Sequence, residues 1–217
     1  MANQPLVSVV LVNFRGAHDT LEAISGLKAL NWPKDSLEIV VVDNASGDDS
    51  VEILRSGAQD VVLVESDTNS GFAGGCNLGV QRSSGEVVAF LNNDAKPDPD
   101  WLARGVETLM SGPSVGAVAS RVLDWEGKTI DYAGAGLTWY GMGYRPLSGH
   151  PANRTKDLDR VIARGIIDDN DFKSVLRPVE CIQARDGFEG VVSATEVDQD
   201  NTDQWLVRHR AIPSMRG

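Results

Sequence analysis

Divalent cations, phosphates and sugar hydroxyls all favour oxygen ligands, and this sequence concentrates such groups where its apolar runs stop. Asn92-Asn93-Asp94 closes the run at residues 87–91. One carboxylate there, with water and phosphate oxygens, makes an ordinary site for Mg2+ or Mn2+, so Asp94 is the candidate metal ligand. An aspartate that merely starts a turn fits the same position. Asp43 ends a second run, 37–42, where its carboxylate would accept from a ribose hydroxyl or a base N–H; capping the next helix is the competing role. Asn13 ends the first run, 6–12. A fourth cluster runs from Asn69, Ser70 and Gly71 to Asn77 and Gly79. Its glycines would let a nucleotide approach a helix N-terminus, or would let that helix lie close on a sheet.

Several other chemistries are excluded. The glycines of 71–79 fit neither G-x-x-x-x-G-K-[ST] nor G-x-G-x-x-G, and no glycine-rich turn follows the first run. That argues against a P-loop NTPase and a dinucleotide-binding dehydrogenase. His18, His150 and His209 share no spacing suited to a metal site or a catalytic triad. Cys76 and Cys181 lack metal-ligand spacing and read as reduced thiols. A net charge of −11 over 217 residues disfavours nucleic acid as a partner.

The elements that must position these groups follow from the pattern. The β-branched runs at 6–12, 37–42, 61–64 and 87–91 read as buried strands, and a fifth strand is expected over 115–122. Between them lie helical patterns. Asp19-Thr20-Leu21-Glu22 has capping-box spacing ahead of Leu21, Ile24 and Leu27; Ser46 or Asp48 would cap a helix through Val51 and Leu54; Asp98 and Pro99 would open one carrying Trp101, Leu102, Val106 and Leu109. Residues 94–100 read as a Pro- and Asp-rich turn. Alternating strand and helix with short loops predicts an α/β fold: a Rossmann-like, mostly parallel sheet flanked by helices, with right-handed crossovers. The polar strand ends then gather along one edge as a single cleft.

Beyond residue 122 the pattern thins into glycine and aromatic residues, as irregular loops or a short hairpin would give. A helix at 158–167 and a strand at 190–194 have weak boundaries. Most of the negative charge falls before residue 151. The expected division is residues 1–150 as the ligand-binding domain and 151–217 as an irregular, divergent or truncated C-terminal segment. Hydrophobic content of 41% supports a buried core, whereas no run of about 18 apolar residues forms a membrane span. The N-terminus lacks the features of a secretory signal, so a cytoplasmic location is expected.

Four motifs occur in order: the apolar run to Asn13-Phe14, the run to Asp43-Asn44-Ala45-Ser46, Asn69-Ser70-Gly71 through Asn77 and Gly79, and Phe90-Leu91-Asn92-Asn93-Asp94. Together, over about residues 6–145, they resemble the nucleotide-sugar half of a family 2 glycosyltransferase with a GT-A fold, closest to the rhamnosyltransferase-like branch. The resemblance implies an inverting, metal-dependent transfer of a sugar from a UDP-, dTDP- or GDP-linked donor to a cell-envelope glycan or lipid-linked acceptor. The work would be done in the cytoplasm, with peripheral contact to the inner face of the membrane. Asp43 would contact the base or ribose. Asn69, Gly71 and Asn77 would line the nucleotide and sugar pocket, with Asn13 and Asn93 beside them. Asp94 would stand for the last acid of the D-x-D motif and hold Mg2+ or Mn2+; Asn92 replaces the first acid.

The family's later motifs, a Gly-Gly-Phe-Asp segment and a Glu-Asp-x-Asp that supplies the base, have only distant counterparts here. Asp186-Gly187-Phe188-Glu189 precedes Glu196-Val197-Asp198-Gln199-Asp200 at similar spacing. Asp198 is thus the candidate base, in competition with a solvated acidic loop. The alternative function is a catalytically incompetent nucleotide-sugar-binding domain without its acceptor half.

Overall fold

The computed structural model describes residues 4–111, 115–137, 142–145, 147–153, 181–184 and 206–209, the last two segments as backbone strands. The chain begins β1 (Val7–Asn13), α1 (Ala17–Lys28), β2 (Leu37–Asp43), α2 (Ser50–Gly57), β3 (Val62–Glu65), α3 (Gly71–Arg82), β4 (Val87–Phe90). It continues β5 (Ala95–Pro97), α4 (Trp101–Leu109), β6 (Ala117–Ala119), β7 (Arg121–Asp124), β8 (Ile130–Tyr132), β9 (Gly136–Leu137), β10 (Gly143–Tyr144), β11 (Cys181–Ala184) and β12 (Leu206–His209).

The main sheet has the order β3-β2-β1-β4-β11-β6. Strands β1 to β4 run parallel, and β11 lies antiparallel between β4 and β6. Every residue of β1 is buried because helices cover both faces of the sheet. Val7, Val9 and Leu11 face α1, α2 and α4 in one core. Val10 and Val12 face the opposite way, with Cys76 of α3 and Phe90. This period of two splits the apolar run of β1 between two cores.

The chain leaves β1 for β2 on one side, then crosses back after β3 to place β4 on the other side. The carboxyl ends of β1 and β4 therefore flank a topological switch point, where open α/β sheets form a crevice. Asn13 and residues 92–94 lie there.

Four expectations need correction. The expected strand over 115–122 is two strands in different sheets: β6 joins the main sheet, and β7 joins a second sheet of order β5-β12-β7-β8. Ser120, between them, is fully buried and accepts the Trp101 indole N–H at 2.9 Å. The stretch read as a turn after Asp94 contains β5, whose Pro97 is tolerated because β5 is an edge strand. Helix α1 starts at Ala17 without a side-chain cap bond, so Asp19 and Glu22 form no capping box. Likewise α4 starts at Trp101, while Asp98 receives the Asp100 N–H at 3.1 Å in the turn before it.

Asp48 does serve the start of α2, accepting the Ser50 N–H at 3.0 Å. The Ser50 hydroxyl and N–H hold its carboxyl below the usual carboxylate range. Two-stranded pairing of β9 with β10 supplies the short hairpin. The expected helix at 158–167 and strand at 190–194 lie outside the described residues.

Candidate functional site at the carboxyl edge of the sheet

Strand register sets the centre of the site. Asn13 pairs with Asp43 as the last step of the β1–β2 ladder. Asn13 is fully buried, and its side chain uses all four of its bonding positions. Its amide N–H groups donate to Asp43 Oδ1 at 2.7 Å and Ser46 Oγ at 3.2 Å. Its Oδ1 accepts from the Gly16 N–H at 3.2 Å and the Thr20 hydroxyl at 3.0 Å. Asn13 therefore organises the edge from behind and has no bonding capacity left for a ligand.

Asp43 is 3% exposed. Its Oδ1 accepts from Asn13 and from the Ser46 hydroxyl at 2.6 Å, and its Oδ2 accepts the Ser46 N–H at 3.1 Å. These bonds make Asp43 the anchor of the β2–α2 loop, while the cap of α2 falls to Asp48 and Asp49. Ser46 also binds the opposite loop: its Oγ accepts the Arg15 N–H at 3.0 Å, and its carbonyl accepts Arg15 Nε–H at 2.9 Å. Arg15 and Ala45 are the non-glycine residues with positive φ among the described residues, both at 59°. Each sits two residues past the end of its strand, and such strained conformations persist where surrounding bonds over-determine them. The Arg15 guanidinium lies 5.1 Å from the ring centre of Phe14, which is 46% exposed.

The glycine cluster resolves into two parts. Gly75 and Gly79 are buried within α3, where an added Cβ on Gly75 would meet Val12 Cγ1 at 2.7 Å and one on Gly79 would meet Val42 Cγ2 at 3.2 Å. These glycines serve close helix–sheet packing. Asn69, Ser70 and Gly71 form the exposed approach to the helix, with Gly71 at φ 73°. Asn44, 2% exposed, clamps this approach: its Nδ2 donates to Asn69 Oδ1 at 3.0 Å and Gly71 O at 3.1 Å, and its Oδ1 accepts the Ser70 N–H at 3.1 Å. Asn77 is exposed, about 200° around α3 from Gly75, so it points away from the sheet.

The third loop completes the edge. Asn93 is half-buried and its Nδ2 donates to the Thr20 hydroxyl at 3.3 Å. Asp94, also half-buried, lines a small recess with Asp19, Glu22, Ala23, Ala95 and Trp125. Among the described residues no group of three or more His, Cys, Asp or Glu side chains has the arrangement to hold a metal ion. The donor set fits Mg2+ or Mn2+ only in a shared form, with Asp94 as a hard oxygen ligand and the remaining positions filled by water and a ligand's phosphate oxygens. Asp198 lies outside the described residues.

The structure thus links Asn13, Asp43 and Asn93 by hydrogen bonds, sets Asp94 in a recess against α1, and ties residues 69–71 to the end of β2 through Asn44. Sequence reasoning missed Asn44, Ser46 and Thr20 as organising residues. Asn44 and Ser46 had a signal, since both follow the strand-ending Asp43. Thr20 had none, being one polar residue in an amphipathic helix.

Comparison with known proteins agrees with this geometry. The family described as "Glycosyl transferase family 2" matches residues 8–151. Glycosyltransferase AglE of Haloferax volcanii is 36% identical over 122 residues, 54% of this chain and 40% of that protein. Glucosyl-dolichyl phosphate glucuronosyltransferase of the same organism is 29% identical over 119 residues, covering 54% of this chain and 38% of the relative. The chain thus spans about 40% of the length of these curated relatives. Among solved structures, the mannosyltransferase PcManGT from Pyrobaculum calidifontis, in complex with GDP-Man and Mn2+, superposes with a TM-score of 0.51 at 33% identity. That match covers 55% of this chain and 36% of the other. A parallel α/β sheet with flanking helices, four strand-end motifs in order and a family match over 144 consecutive residues, 8–151, converge: this chain belongs to glycosyl transferase family 2.

Proposed function

We propose that this chain binds a nucleoside diphosphate sugar at the carboxyl edge of its sheet and transfers the sugar with inversion, using Mg2+ or Mn2+. The observation that carries the reading is the hydrogen-bonded link from Asn93 through Thr20 and Asn13 to Asp43, which ties the loop after β4 to the end of β2. Asp43 Oδ2 receives a single bond, from the Ser46 N–H, and a carboxylate oxygen accepts two, so one position remains for a ribose hydroxyl or base N–H. Phe14, exposed one residue past Asn13, offers a flat face on which a base stacks. Residues 69–71, fixed by Asn44, border the sugar and diphosphate.

Asp94 would hold the cation, which when bound would neutralise charge growing on the leaving diphosphate. Inversion needs a base on the face of the sugar opposite that leaving group, and Asp198 is assigned to it. The acceptor is a cell-envelope glycan or a lipid-linked sugar, reached from the cytoplasm at the inner face of the membrane, and the donor specificity follows the rhamnosyltransferase-like branch. Residues 1–150 are the nucleotide-sugar-binding part in this reading, and 151–217 a divergent segment.

A second reading is favoured by one observation: the family match ends at residue 151, before the acids that the family uses as base. The chain would then bind the donor without transferring it. Calorimetry with UDP-, dTDP- and GDP-sugars, with and without Mn2+, tests both readings alongside donor turnover. Metal-dependent binding that Asp94→Ala abolishes supports donor binding, and turnover decides between the two. Nucleotide binding that no metal alters overturns the metal dependence, and absence of any nucleotide binding overturns both readings.

A further inference from the structure

Asn93 and Asp43 belong to different loops, and a buried chain of hydrogen bonds links them. Its direction is fixed by chemistry. Asp43 Oδ1 only accepts, so the Asn13 amide must present its N–H groups there and turn its oxygen to α1. That oxygen faces Thr20, whose hydroxyl has one proton for two acceptors, Asn13 Oδ1 at 3.0 Å and Gly16 O at 2.9 Å. With its proton spent in that direction, the Thr20 oxygen must accept from the other, and Asn93 Nδ2 supplies the donor at 3.3 Å. Asn93 to Thr20 to Asn13 to Asp43 is therefore a one-way series, with the Thr20 proton shared between Asn13 Oδ1 and Gly16 O, and donors aligned in this way strengthen one another cooperatively. Thr20 and Asn13 are fully buried, so no water competes for the link between them.

We propose that Thr20 is a positioning residue that couples the two ends of the donor site, so that nucleotide bound at Asp43 and cation bound at Asp94 each strengthen the other. This rests on the donor-binding reading above. The coupling works because Asn93 is the neighbour of Asp94 in sequence, and its bond to Thr20 fixes where that loop sits. At 3.3 Å this is the longest link of the series, the one with room to shorten when the loop closes on its ligand. Gly16 reports on the same contact. Its φ of −132° suits alanine, but a Cβ there would meet Asn93 Nδ2 at 2.8 Å and push that amide off Thr20.

The test is calorimetric titration of the full chain with UDP, dTDP and GDP, each with and without Mn2+. The ratio of the two affinities is the coupling factor, and by linkage it is the same from either ligand. Thr20→Val is expected to reduce the factor about five- to tenfold, the value of one or two ordinary hydrogen bonds. Metal-free nucleotide affinity should change less, and Thr20→Ser, which keeps the hydroxyl, should restore most of the factor. Asn93→Ala and Gly16→Ala should lower it similarly, and Thr20→Val with Asn93→Ala should lower it no further than either alone. A coupling factor unchanged in a folded Thr20→Val overturns the proposal, as do losses that add in the double variant. If Thr20→Val fails to fold, Asn93→Ala and Gly16→Ala decide, because both act at the half-exposed end. Wild-type protein that binds nucleotide without any metal dependence refutes the coupling alone; wild-type protein that binds no nucleotide refutes the donor reading as well.

Discussion

Replacing Gly75 by alanine measures how tightly α3 is pressed onto the sheet. The new methyl would lie 2.7 Å from Val12 Cγ1 and 3.0 Å from Val12 Cγ2, against the roughly 3.5–4.0 Å of ordinary carbon contact. Valine is stiff at χ1, and both of its methyls face the intruder, so rotation gives no relief. The helix must retreat by roughly 1 Å, which thins its contact along the opposite core. Overpacking of this kind costs about 1–3 kcal/mol, while alanine in place of glycine in a helix returns about 1 kcal/mol. The expected net destabilisation is up to about 2 kcal/mol, read in urea as a lower midpoint at unchanged slope. Adding Val12→Ala, worth about 2 kcal/mol alone, should cost less than the sum because the new methyl fills the vacated space. A Gly75→Ala protein more stable than wild type, or costs that simply add, would show that the helix does not approach the sheet as closely as the geometry requires.

Three further outcomes follow from individual contacts. Asn44→Ala removes the acceptor of the Ser70 N–H, whereas the Gly71 N–H keeps its bond to Asn69 Oδ1 at 2.9 Å; amide exchange should accelerate at Ser70 well before Gly71, and equal acceleration would refute the clamp. Ser120→Ala leaves the buried Trp101 N–H without its partner at a cost of about 1–3 kcal/mol, and adding Trp101→Phe should cost less than the two changes summed when measured by urea unfolding. Asp124 is held below the usual carboxylate range, first by the Thr129 hydroxyl and then by backbone N–H groups of its turn. Because its folded value is the lower one, its stabilisation is complete above about pH 4 and is lost as pH falls through the depressed value. Asp124→Asn should therefore flatten the decline of the urea midpoint below pH 4, and an unchanged decline would refute that assignment.

The strand ends were legible because a strand covered on both faces must be apolar along its length and can turn polar only where it leaves the sheet. That rule alone placed Asn13, Asp43 and Asn92 to Asp94 on one edge. It failed where tertiary packing overrode local preference. Residues 69–75 read as a glycine-rich loop leading to a helix with Asn77, Leu78 and Val80, because glycine has poor helix propensity; α3 already starts at Gly71, and its Gly75 and Gly79 are needed where Val10, Val12 and Val42 leave no room for side chains. Ala95–Pro97 read as a turn because proline breaks sheets, and the edge position that excuses it depends on β12, more than a hundred residues away in sequence. β11 was illegible for a similar reason, since Cys181–Ala184 has no apolar run and its partners β4 and β6 decide its place.

Packing and chemistry meet at Val12. It is the residue that Gly75 must clear, and its neighbour Asn13 carries the hydrogen bonds that set Asp43. A helix displaced by Gly75→Ala would disturb the sheet at that point and would drag residues 69–71 against the Asn44 clamp, so stability and nucleotide affinity should fall together. Thr20→Val acts on the other face of the sheet, where α1 packs, and leaves the α3 approach untouched. It should change the dependence of binding on metal more than it changes nucleotide affinity without metal. Two substitutions on opposite faces of β1 thus separate the two ways that this strand serves the site: one by where it lies, the other by what its last residue bonds.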